Sequence, residues 1–156
     1  MFFWFLGVGA LLVVAVFQSP GLDYRMVMLG TVVPLLDAVT GGPWLLHTLL
    51  APVAVLVVVM LCTRRRRLIR RRWLGLPIGM FMHLVLDGAW ANTDVFWWPF
   101  FGTSFGDDQL PEVARGALSL VMELAGLGAL AYGWRRYGLE EPAARERFLH
   151  TGQLPR

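Results

Sequence analysis

Cysteine is nearly missing from this chain: Cys62 is the only one among 156 residues. A disulfide framework within the chain is therefore excluded, and so is any metal site built on several cysteines. Cys62 closes an apolar run beside Arg64 and reads as a packing residue. Lysine is absent altogether, so all 14 basic residues are arginine. Charge is scarce as well, at 16% of residues. The N-terminal run carries no positive flank, and VFQSPG, which ends it, has no small-residue cleavage pattern. It therefore reads as a retained helix rather than a signal peptide. No aromatic residues interleave with the arginines, which argues against a nucleic-acid partner.

What the chain has in abundance is apolar sequence. It is 56% hydrophobic, with mean hydropathy +0.57. That composition points away from an ordinary water-exposed domain and toward the membrane class. Helical candidates run over 2–17, 24–39, 44–62, 73–90 and 117–134, with breakers at Ser19-Pro20-Gly21 and at TGGP, 40–43. Asp23 suits the N-cap of the second candidate, and Pro34 interrupts it. The expected fold class is all-α: a polytopic transmembrane bundle of four to five helices over 1–135, with a cytoplasmic tail over 136–156. Seven arginines within 64–72 place that loop in the cytoplasm by the positive-inside rule.

The ionisable residues then fall at one depth. Asp37 ends the second helix, and His47 lies one turn into the third. His83 and Asp87 sit in the outer half of the fourth, Asp94 just beyond it, and Glu123 near the outer end of the fifth. An Asp at the centre of a spanning helix costs about 2.5–3.5 kcal/mol, so the cluster needs compensation. A divalent cation would supply it, neutralising carboxylates and taking a lone pair from each neutral imidazole. His83 and Asp87 are four residues apart and share a helical face. Asp37 and His47 would join them from the corner around TGGP. The set suits Zn, with Mn or Fe if water completes a larger shell. Each residue also has a plainer reading: interhelical hydrogen bonds for His47 and Glu123, a local bond near TGGP for Asp37, solvation for Asp94. The aromatic stretch 95–106 suits an interface anchor, and also a lid beside the site.

The residues that carry this pattern, Pro34 and Asp37, His47-Thr48, His83-Leu84 with Asp87, and Trp98-Pro99-Phe100, resemble the motifs of the bacterial membrane-bound metal-dependent hydrolases. The resemblance spans about residues 23–102. It implies an inner-membrane helical protein whose metal ligands are Asp37, His47, His83 and Asp87.

The expected function is an integral membrane metal-dependent hydrolase acting on an ester or phosphoester, lipid-linked as an option, at the extracytoplasmic side. Asp94 or Glu123 is the candidate general base or ligand-orienting partner. Membrane lipids are the expected partners, and the location is a multi-pass inner-membrane one with loop 63–72 and the C-terminus cytoplasmic. The alternatives are a metal-ion or proton transport component, since intramembrane His and carboxylates also mark ion paths, and a non-catalytic structural protein.

Overall fold

A computed structural model of the chain describes residues 1–40, 44–91, 93–100 and 116–155, with 38–40 as backbone only. Every regular element among them is helical. A π-helical turn, Trp4–Val8, leads into α1 (Gly9–Phe17). Next come α2 (Tyr24–Val32), a 3₁₀ stretch Val33–Thr40, a 3₁₀ turn Leu45–His47, and α3 (Leu50–Cys62). They are followed by α4 (Arg67–Trp73), α5 (Gly75–Asp87), a 3₁₀ turn Ala89–Ala91, α6 (Thr93–Phe96), α7 (Ala117–Arg136) and α8 (Pro142–Thr151).

Local chemistry sets these boundaries. Asp23 is extended and accepts the Arg25 N–H at 3.1 Å, capping α2. Pro34 has no N–H to donate and its ring crowds the carbonyl four residues back, and the chain tightens into the 3₁₀ stretch from Val33. Gly88, at φ 75°, ends α5 in the left-handed region. Among the described elements, α2 and α5 pack against each other most extensively. A Cβ on Gly30 would overlap the Leu76 carbonyl oxygen, and one on Gly79 the Val27 carbonyl oxygen. Two glycines thus let the backbones meet, which sets Thr31 of α2 beside His83 of α5. Val13, Leu22, Tyr24 and Val27 form the main core, with Phe148 and Leu154 packed onto it. A second cluster holds Leu84, Ala89 and Phe96 with Leu49 against it. The Leu49 N–H donates to the Phe96 carbonyl at 2.9 Å and ties α6 to the start of α3. The segment beyond residue 135 contains α8, whose end docks on α2. There the Tyr24 N–H donates to the Gly152 carbonyl at 2.8 Å, and the Arg25 guanidinium donates to the Leu149 carbonyl.

The expected bundle of four to five spanning helices does not form. Among the described residues only Ala117–Arg136 is long and apolar enough to cross a membrane. The apolar runs are cut short. The 24–39 run breaks at Val33, and the 44–62 run becomes α-helical only at Leu50, because Thr48 is extended. The helices α3 and α5 have 13 residues each. Such a helix is about 20 Å long, against a hydrocarbon core of about 30 Å. The further readings lose the spans on which they rested and are corrected with them. These are an integral, multi-pass hydrolase of the bacterial inner membrane, a site on its extracytoplasmic side, and loop 63–72 and the C-terminus in the cytoplasm. Membrane lipids or a lipid-linked substrate as partners go with them.

Candidate metal centre

Four of the expected site residues are buried: Asp37, His47, His83 and Asp87. His83 and Asp87 lie one turn apart on α5, as their spacing requires, and His47 closes the 3₁₀ turn before α3. His83 is 0% exposed, His47 1% and Asp87 2%. Each offers one ligand atom, and the three atoms lie within 4.8 Å of one another. His47 Nε2 stands 4.0 Å from Asp87 Oδ2, and the two imidazoles meet edge to face with centroids 5.3 Å apart.

Both imidazoles are oriented from behind. His83 Nδ1 lies 2.7 Å from the Thr31 carbonyl oxygen. A carbonyl can only accept, so Nδ1 carries the proton and Nε2 the lone pair. His47 Nδ1 lies 2.9 Å from Asp37 Oδ2, and the same logic fixes the same tautomer. Asp37 Oδ2 also accepts the backbone N–H groups of Trp44 at 3.0 Å, Leu46 at 3.0 Å and His47 at 3.2 Å. One carboxylate oxygen therefore holds both the His47 ring and the turn that carries it. Burial pushes the His83 imidazole down to about 3, and the neighbouring His47 adds to the depression while the Thr31 carbonyl opposes it. His83 is thus neutral and keeps its lone pair across ordinary pH.

Two imidazole nitrogens and a carboxylate oxygen form a cluster able to chelate a divalent metal ion. Bonds of about 2.0–2.1 Å in a tetrahedral site put ligand atoms about 3.3 Å apart. The 4.0 Å separation of His47 Nε2 and Asp87 Oδ2 is within a small side-chain adjustment of that.

The other expected residues fall elsewhere. Asp37 stands one hydrogen bond behind His47, and the three-residue group comprises His47, His83 and Asp87. Asp94 is exposed on the four-residue α6. Glu123, on α7, accepts the backbone N–H groups of Phe2 at 2.7 Å, Phe3 at 2.6 Å and Trp4 at 3.2 Å. In the aromatic stretch 95–106, the part from 101 onward lies outside the described residues. Sequence reasoning missed two contributors. The Thr31 carbonyl holds His83, and the buried Phe5 ring stacks on the His83 imidazole with centroids 3.8 Å apart and planes 27° apart. Neither has a signature in the sequence, because every residue has a carbonyl and Phe5 is one apolar residue among many.

No family model matches this chain, and neither does any curated protein or solved structure. Of what the motif resemblance implied, the buried His/His/Asp cluster capable of holding a divalent ion is what the structure supports.

Proposed function

We propose that the chain is a divalent-metal protein, with Zn²⁺ held by His47 Nε2, His83 Nε2 and the Asp87 carboxylate. Asp37 fixes His47 from behind, and the ligand group found among the described residues numbers three. The observation that carries this reading is the double anchoring of Nδ1, by a carboxylate on His47 and a carbonyl on His83, which assigns the lone pair of each ring to Nε2 in a cluster with Asp87. Metal-ligating histidines are oriented in this way in known sites. Three protein ligands with one open position is the arrangement of catalytic zinc, whereas structural zinc is closed by four. An ion so held acidifies bound water and polarises a carbonyl or phosphoryl oxygen, the chemistry of metal-dependent hydrolysis. The donor set also admits Fe or Mn in a larger shell. Asp94, exposed on α6, stays the general-base candidate although it stands outside the three-residue group. Glu123 binds the backbone N–H groups of Phe2, Phe3 and Trp4 instead.

The test is metal uptake by equilibrium dialysis after stripping with a chelator. The wild type should take up about one Zn²⁺ per chain. His83→Ala and Asp87→Ala should fall to background while keeping a helical circular-dichroism spectrum, and His150→Ala should not differ from wild type. Uptake that is absent, or the same in all four proteins, refutes the reading.

A further inference from the structure

The first N–H groups of a helix have no partner within it. At the start of the N-terminal helical stretch three of them are taken by one distant side chain. Glu123 Oε1 accepts the Phe2 N–H, and Oε2 accepts those of Phe3 and Trp4. A carboxylate there also meets the positive end of the helix dipole. The seat is close along its length. A Cβ on Gly126, three residues beyond Glu123, would overlap the Phe3 backbone, and one on Gly7 would overlap the Gly126 carbonyl oxygen. The N-terminal stretch is thus held down on α7.

Its other side faces the metal centre. Phe5 is fully buried and lies flat on the His83 ring. All three ligand residues are at most 2% exposed. An ion can enter or leave only when something that covers them moves. Phe5 covers one ring directly, and it belongs to the segment that Glu123 ties to α7.

We propose that Glu123 is a positioning residue for the metal centre: it clamps the N-terminal stretch so that Phe5 lies on His83, and thereby sets the rate at which the metal ion exchanges. This rests on the metal-binding reading above. Loosening the clamp raises the population of the locally opened state. Entry and release both pass through that state, so both rates rise and the equilibrium affinity hardly moves. Glu123→Ala gives up three hydrogen bonds to a charged acceptor and should speed Zn²⁺ release by about tenfold or more. Glu123→Gln keeps an acceptor in place and should fall between the two. Phe5→Leu, which keeps an apolar side chain but removes the flat ring, should also speed release without touching the clamp.

The experiment transfers Zn²⁺ from the loaded full chain to an excess of a chromophoric chelator in stopped flow. Affinity comes from equilibrium competition, and thermal melts of the metal-free proteins check folding. Faster release in Glu123→Ala and Phe5→Leu at an affinity within about threefold of wild type is the expected result. Release at the wild-type rate in both variants overturns the proposal. So does an affinity that falls in step with the faster release, because Glu123 would then stabilise the bound site rather than control access to it. A wild type that binds no Zn²⁺ overturns the underlying reading and this proposal together, and is told apart by its own blank titration.

Discussion

Replacing Asp37 by asparagine keeps the side chain's shape and removes its charge. Among the described residues Oδ2 accepts four hydrogen bonds, from the backbone N–H groups of Trp44, Leu46 and His47 and from His47 Nδ1, all between 2.9 and 3.2 Å. A bond to a charged group contributes about 1.5–3 kcal/mol, and a neutral one about 0.5–1.5. The charge is therefore worth about 1 kcal/mol per bond, and since bonds sharing one atom are not additive the expected destabilisation is about 2–4 kcal/mol. A second effect falls on the metal. Without the carboxylate His47 is a poorer donor and its ring is less firmly turned, and such partners are worth about 10–100-fold in metal affinity. Urea denaturation of the metal-free proteins gives the first quantity, and Zn²⁺ competition against a chelator gives the second. An Asp37→Asn variant that binds Zn²⁺ within twofold of wild type would refute the view that His47 is a ligand oriented from behind.

Gly79→Ala should separate α2 from α5, because its Cβ would overlap the Val27 carbonyl oxygen. A loss of about 1–3 kcal/mol, as in overpacked cores, read by urea denaturation is expected, with weaker Zn²⁺ binding as Thr31 moves off His83. The metal-free protein should lose stability in acid through His83. Its folded-state value, about 3, lies below the ordinary 6.5, so between those values the unfolded chain binds the extra proton. Stability then falls as pH drops from about 6.5 toward 3, by up to about 1.4 kcal/mol per unit, and is flat in this respect above 6.5. Urea denaturation at pH 5 and pH 7 checks this, and His83→Leu should flatten the slope.

Parts of this arrangement can be read in the sequence. The spacing of His83 and Asp87 alone places both on one helical face, and α5 carries them one turn apart. The helical class follows from the long apolar runs. Helix lengths do not follow, because an apolar run says nothing of where the backbone leaves α geometry. Pro34 is a visible breaker, but the 3₁₀ winding from Val33 and the extended Thr48 are settled by tertiary contacts. Hence the 24–39 and 44–62 runs become α-helices of only 9 and 13 residues in α2 and α3. The part played by Asp37 is likewise hidden. Its chemistry suits a ligand or a ligand's partner equally, and only the turn at Leu45–His47, which brings three N–H groups to one oxygen, distinguishes them. Glu123 shows the same limit: its near neighbours in space are about 120 positions away in the chain.

Two imidazoles and one aspartate converging on a divalent ion leave a signature in X-ray absorption at the zinc edge of the fully loaded protein. Two imidazole ligands at about 2.0–2.1 Å are expected, with oxygen filling the rest of the shell. A spectrum with one imidazole or none would place the zinc elsewhere, and would contradict a centre built on His47, His83 and Asp87.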